Sequence, residues 1–315
     1  MTDMSHQKNL REAWGQALLA LARRNPDVVA LEADLGKSTR SILLKEAFPE
    51  RYFEMGIAEQ DMASTAAGLA LTGKIPFMHS FAVFASGRTY DQLRNSVCIP
   101  NLPVRVCGSS AGLSDFGDGK THQALEDMAI MRALPNMTVL CPADGIECAL
   151  MVDALERHPG PAYVRVNRNE APFVTPADRP YRIGPATVLR TGGDAVVYAC
   201  GIMVSRALEA AERLAQSGIA TGVVNVSTIK PIDRETITQQ ARGVKAIVTA
   251  EEHSVIGGLG SAVLEALRRE RHAPLEIVGV ADRFGLSAAD YDGLLEHFGL
   301  TAAAIEKAVR TLLAG

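Results

Sequence analysis

The sequence predicts an α/β protein built as two three-layer α/β/α domains with mainly parallel sheets. Short apolar runs alternate with segments of helical period through the first half. The alternation lapses in a proline-rich stretch near the middle and then restarts. Continuous apolar runs mark strands buried on both faces, and strand–helix alternation builds parallel sheets covered by helices. The 315 residues suffice for about two domains of roughly 150 residues each.

In chain order, Trp14, Ala17, Leu18, Leu21 and Ala22 recur at helical spacing within Arg11–Arg24, and Pro26 stops the pattern. Val28–Leu31 is a buried-type strand that enters a polar loop holding Glu32, Asp34, Lys37, Ser38 and Arg40. Glu32 and Asp34 suit an active-site rim at a strand's carboxyl end, and equally suit loop solvation. Arg51–Phe53 reads as a strand, and a helix follows from Glu59. Lys74–Met78 is extended, and the stretch from Ser80 to Ser96 reads as helix, with Phe81 and Phe84 on one face. Val104–Cys107, Met137–Cys141 and Ala162–Val166 are further strands, with helices expected over 123–134 and Asp144–Arg157.

Asn169–Pro185 contains four prolines and no apolar period, so it reads as a linker. The expected division is 1–168, a linker over 169–188, and 189–315. Beyond it, strands at Ala195–Ala199, Thr221–Val226, Lys245–Ala250 and Leu275–Ala281 alternate with helices at Met203–Gln216, from Asp233, after Gly260 and at about Thr301–Leu313.

Composition excludes several classes. A net charge of −4 gives no electrostatic reason to expect nucleic acid or an anionic membrane as partner. Five cysteines form no C-x-x-C pair, which suits reduced thiols and a cytoplasmic location. The amino terminus lacks the apolar core of a signal peptide, and no apolar run approaches the roughly 20 residues that span a bilayer. Gly257, Gly258 and Gly260 are only a fragment of a dinucleotide fingerprint and suit close helix–sheet packing better. No metal-ligand motif is evident.

Two stretches carry chemistry. In the first, RYFEMGIAEQDM, Gly56 supplies a turn before Glu59, and small residues follow. A carboxyl buried there with little polar company would hold or share a proton near neutrality. An acidic residue in a helix's first turn is also common on dipole grounds alone. The second is the long loop GSSAGLSDFGDGKTHQALED between a buried strand and a helix. Loops of that length are usually functional. His122 within it is a candidate donor, acid or base, with a solvated loop histidine as the bland alternative.

With THQALEDMAIMRALPNMTVLCPAD and the looser TIKPID, these blocks resemble the C-terminal part of transketolase over nearly the full chain. The resemblance implies a thiamine-diphosphate pyrimidine-binding domain followed by a transketolase C-terminal domain. It implies that Glu59 activates the cofactor's aminopyrimidine and that Phe81 and Phe84 form the wall beside that ring. Asp118 and His122 match residues that contact the sugar and its reacting centre, which makes His122 a catalytic candidate beside Glu59. Arg11, Ser38 and Arg168 match positions that hold a sugar phosphate, a task suited to guanidinium. The implied reaction transfers a two-carbon ketol unit from a ketose to an aldose.

The sequence departs from the family in two places. The diphosphate-binding domain, with its G-D-G…N metal motif, is missing, so a separate subunit is expected to bring the diphosphate grip and Mg2+ into an α2β2 heterotetramer. In the substrate loop, Ser110 stands where the family pattern S-H-A-G has histidine, and Lys120 where proline or alanine is usual. A less usual ketose, carrying another anion or a differently placed phosphate, is the expectation drawn from that change. The alternatives are the β-subunit of a 2-oxoacid dehydrogenase E1, a 1-deoxyxylulose-5-phosphate synthase-like enzyme, and a non-catalytic assembly subunit. The sugar-type THQALED block argues against the first, and the missing domain against the second. The joint presence of Glu59, Phe81, Phe84, Asp118 and His122 argues against the third.

Overall fold

A computed structural model describes residues 9–176 and 180–315. Residues 1–8, which hold much of the stretch read for a signal peptide, and residues 177–179 of the expected linker lie outside the described residues.

Six strands precede the linker: β1 (Val28–Glu32), β2 (Tyr52–Glu54), β3 (Ile75–Phe81), β4 (Arg105–Ser109), β5 (Thr138–Leu140) and β6 (Ala162–Arg165). The other six are β7 (Thr187–Arg190), which begins within the last two residues of the expected linker, β8 (Ala195–Ala199), β9 (Thr221–Asn225), β10 (Thr228–Lys230), β11 (Ala246–Ser254) and β12 (Leu275–Val280). They form a seven-stranded sheet in the order β10-β5-β6-β4-β3-β1-β2 and a five-stranded sheet in the order β12-β11-β8-β9-β7. Pairing is parallel except at two edges, where β10 runs antiparallel to β5 and β7 antiparallel to β9.

Strand alternation produces the three layers, because successive side chains point to opposite faces. Val28 and Ala30 of β1 pack in one core with Leu18 and Leu21 of the helix Leu10–Arg24, while Val29 and Leu31 pack in another with Met62 and Ala66 of the helix Glu59–Leu71. In the second sheet, Val197 shares the first core with Ala207 and Ile305, and Val196 shares the second with Val263. Both cores therefore run through both domains.

Two short strands escaped the sequence reading. β7 and β10 are each only three or four residues long, too short for an alternation to register. β10 has a consequence for the expected domain division: the TIKPID segment, beyond the linker, completes the edge of the first sheet. Two expected helices are also revised. From Ser80 onward the chain stays in β3 through Phe81 and then forms broken turns, Ala82–Gly87, Tyr90–Gln92 and a π-helical turn Leu93–Cys98. The helix expected from Gln123 begins only at Asp127. Residues 123 and 124 are held in a tie instead, since Ala124 and Gly112 exchange backbone hydrogen bonds and the Gln123 amide donates to the carbonyls of Asp115 and Leu286.

One buried polar contact anchors β3, the strand that delivers Phe81. The indole N–H of Trp14 donates to His79 Nε2 at 3.1 Å. That bond makes Nε2 the acceptor and leaves Nδ1, 3.3 Å from the Leu31 carbonyl, as the donor. Burial pushes the His79 imidazole down to about 4, so the ring stays neutral in its acceptor role.

Candidate active site

Gly56 sits at φ +66°, a left-handed turn that glycine adopts without strain, and Glu59 opens the helix three residues later. The helix-start and buried-carboxyl readings of Glu59 both hold for geometry, because its side chain is 4% exposed. The expectation that it lacks polar company does not hold. Arg88 Nη1 donates to Glu59 Oε1 at 2.7 Å. The same guanidinium lies 4.0 Å from the centre of the Phe84 ring. Phe84 stacks on Phe81 with centroids 6.2 Å apart and planes 17° from parallel. His122 meets both rings edge-on, at 5.4 Å from Phe84 and 6.1 Å from Phe81. Glu59, Phe81, Phe84 and His122 thus form one cluster, with Arg88 as the link that the sequence reading missed. A signal existed: Phe84 and Arg88 are four apart and share a helical face.

The substrate loop is pinned at both ends and open in the middle. Asp118 and Lys120 are exposed, flanking the start of the single turn Gly119–Thr121 that presents His122. His122 Nδ1 lies 2.9 Å from the Thr121 hydroxyl. Ser110 is fully buried at φ +51°, and its hydroxyl has no hydrogen-bond partner among the described residues. A buried hydroxyl without a partner calls for explanation, since most such groups are satisfied.

Arg11, Ser38 and Arg168 lie together, and Arg40 joins them. Arg11 Nη1 donates to the Ser38 carbonyl at 3.2 Å, so Ser38 contributes backbone here. Burial lowers the Arg11 pKa, and the positive charges of Arg168 and Arg40 lower it further. Arg168 pairs with Asp115 at 2.7 Å and Arg40 with Glu12 at 2.5 Å. Three guanidinium groups facing two carboxylates leave a net positive charge, a suitable seat for an anionic substrate group.

Loop solvation does not hold for Glu32. It is fully buried and accepts from Thr39 Oγ1 at 2.6 Å, Ser41 Oγ at 2.5 Å and the Ala33 N–H at 3.1 Å. Burial pushes its carboxyl up to about 7 despite those bonds. It ties down the turn that positions Ser38 and Arg40.

The second domain braces the substrate loop. Glu252, at the end of β11, accepts from the Leu113 N–H at 2.8 Å, Asn167 Nδ2 at 3.0 Å and Tyr291 OH at 2.7 Å. Gly112 has φ +65°, and a Cβ there would lie 2.4 Å from the Glu252 carboxyl carbon. Below it, Arg165 pairs with Asp127 at 2.9 Å and donates to the carbonyls of Glu252 at 2.6 Å and Ala124 at 3.1 Å. Nothing in the sequence pattern joined EEHS to this loop, because the contact between Leu113 and Glu252 spans 139 residues.

The chain belongs to the transketolase family: the model "Transketolase, pyrimidine binding domain" matches residues 6–173, and "Transketolase, C-terminal domain" matches residues 184–305. Membership implies dependence on thiamine diphosphate. Among its relatives, the chain is 43% identical to the 6-deoxy-6-sulfo-D-fructose transketolase subunit SqwH of Clostridium sp. (strain MSTE9), covering 95% of this chain and 92% of that one. It is 39% identical to a putative transketolase C-terminal section of Methanocaldococcus jannaschii, over 96% of this chain and 95% of that one. Among solved structures, a split gene transketolase described as an inactive beta4 tetramer superposes with a TM-score of 0.88 at 47% identity, over 97% and 98% of the two chains. The 1-deoxy-D-xylulose-5-phosphate synthase of Methylacidiphilum infernorum is 35% identical, and the chain spans 50% of that protein's length. No helix among the described residues is long and apolar enough to cross a membrane.

Proposed function

We propose that this chain is the pyrimidine-binding subunit of a split transketolase. It transfers a two-carbon ketol unit from a ketose to an aldose and works only with a separate subunit that holds the diphosphate and Mg2+. The observation that carries this reading is the contact of Glu59, through Arg88, with the stacked pair Phe81 and Phe84 and the neighbouring His122. A buried carboxyl beside an aromatic platform fits an aminopyrimidine, which needs a flat apolar face and a hydrogen-bonding partner for a ring nitrogen. Thiamine diphosphate, when bound, supplies the electron sink for carbon–carbon cleavage.

The chain's own residues carry out the remaining tasks. Glu59 holds or shares a proton at the pyrimidine ring nitrogen, Phe81 and Phe84 support the ring, and His122 and Asp118 meet the sugar's hydroxyls at the reacting end. Arg11 and Arg168, with Arg40, hold the substrate's distal anion, and Ser38 fixes Arg11 through its carbonyl. We assign 1–168 and 189–315 as the functional domains joined by 169–188, with β10 lent to the first sheet. An α2β2 assembly with the partner follows by family analogy, and five buried free cysteines suit a cytoplasmic setting.

The closest competing reactions begin with decarboxylation of a 2-oxoacid. Mixed with its diphosphate-binding partner, thiamine diphosphate and Mg2+, the chain is expected to catalyse ketose–aldose exchange and to leave pyruvate intact. Pyruvate consumption without exchange would replace this reading with the synthase-like one.

Ser110 is the proposed determinant of the donor. Its hydroxyl replaces an imidazole in the family pattern, and the similar Clostridium subunit is named for a sulfo sugar rather than a sugar phosphate. Histidine tolerates the left-handed backbone better than most residues, so Ser110→His is a reasonable exchange at φ +51°. In a panel of xylulose 5-phosphate, fructose 6-phosphate and 6-deoxy-6-sulfofructose, the variant is expected to shift relative kcat/KM by roughly tenfold, a difference of about one buried hydrogen bond. Unchanged ratios across the panel would remove Ser110 from donor selection.

A further inference from the structure

We propose that Arg88 is a displaceable latch, whose guanidinium occupies the two contacts that the cofactor's aminopyrimidine must take. This inference rests on the assignment of Glu59 and Phe84 given above and adds a competitor for the same seat. A guanidinium is planar, stacks on aromatic faces and donates through a fork of N–H groups to carboxylates. An aminopyrimidine is also planar, stacks in the same way and hydrogen-bonds a carboxyl group through its ring nitrogen. Arg88 makes both contacts at once, 2.7 Å to Glu59 Oε1 and 4.0 Å to the Phe84 ring centre. One carboxyl oxygen and one ring face are thereby taken.

The surroundings suit release. The Arg88 side chain is 46% exposed, while Glu59 is 4% exposed. The cation can therefore turn out to water at little desolvation cost, whereas the buried carboxyl needs a replacement partner, which the pyrimidine provides. The backbone of Arg88 is ordinary right-handed helix, at the end of the turn Ala82–Gly87, so rotation of the side chain suffices. Until the partner subunit delivers the cofactor, Arg88 keeps Glu59 paired.

The test uses the full chain and the free fragment 4-amino-2,5-dimethylpyrimidine, with binding followed by ligand-observed NMR titration. Arg88→Met keeps the stem and removes the cation. It is expected to bind the fragment roughly 3- to 30-fold more tightly than wild type, the range set by an exposed ion pair plus a cation–π contact. Adding Glu59→Ala to Arg88→Met is expected to abolish the gain. Fluorescence of the single tryptophan, Trp14, checks that each variant is folded. Equal or weaker binding by Arg88→Met, or no measurable binding by either form, overturns the latch. A gain that survives Glu59→Ala overturns the underlying assignment of Glu59 instead, so the two failures are distinguishable.

Discussion

Glu59→Gln is expected to lower ketol-transfer turnover by about 10²- to 10⁴-fold in the assembled enzyme, the usual contribution of a positioned proton-transfer group. Glutamine has nearly the same size and keeps an oxygen acceptor, but it cannot hold a carboxyl proton at the pyrimidine nitrogen. The cluster around it does not depend on the charge for its shape. Phe81 is buried, and its stacking with Phe84 and the edge contacts of His122 involve no atom of Glu59. The ion pair to Arg88 is half open to water on the arginine side, so its loss has little effect on stability. Steady-state kinetics with saturating cofactor, beside a cofactor titration, separates the chemical step from binding. A fall in kcat with a folded, cofactor-competent complex is the expected pattern, and wild-type turnover would remove Glu59 from the chemistry.

The second large effect is on stability. Arg165→Met is expected to cost about 3–5 kcal/mol, because it leaves the buried Asp127 carboxylate without its cation. Arg165 and Asp127 are 4% and 0% exposed, and they join the domains as well as each other. Burial is the largest influence on the Arg165 pKa and would lower it, but Asp127, Glu252 and the other groups around it together hold the guanidinium well above its usual range. Tyr163 OH also donates to Asp127, at 2.8 Å, but a neutral hydroxyl does not offset the charge. Urea unfolding measures the loss, followed by Trp14 fluorescence, which reports the first domain, and by far-ultraviolet circular dichroism, which reports both. An unchanged midpoint would mean that the junction contributes nothing to cohesion. A loss confined to the second domain's transition would mean that the two domains unfold separately despite their shared cores.

Much of the fold is legible because it rests on local periodicity. β1, β8 and the helix Met203–Gln216 match their expected limits within a residue. What escaped depends on distant partners. β10 is three residues long and becomes a strand only by meeting β5. The residues from Gln123 to Glu126 have helical composition, but the amide of Gln123 and the backbone of Ala124 are spent on the substrate loop. The site divides the same way. Motifs brought forward Glu59, Phe81, Phe84 and His122, which share one cluster, and Arg11 and Arg168, which share another. Arg88 was readable from its spacing to Phe84, but its meaning depends on where the helix Glu59–Leu71 lies. Glu252, Asn167 and Tyr291 are invisible as a set until the chain folds.

On the proposed function, this chain carries half of an active site. The direct test is a ketose–aldose exchange assay with thiamine diphosphate and Mg2+, on the purified chain alone and after adding stoichiometric diphosphate-binding subunit. No exchange above background is expected from the chain alone, and robust exchange on mixing, saturating near one partner per chain. Robust exchange by the chain alone would contradict the split site. Silence in the complete mixture, with all three donors and both subunits folded, would contradict the assignment of ketol transfer itself.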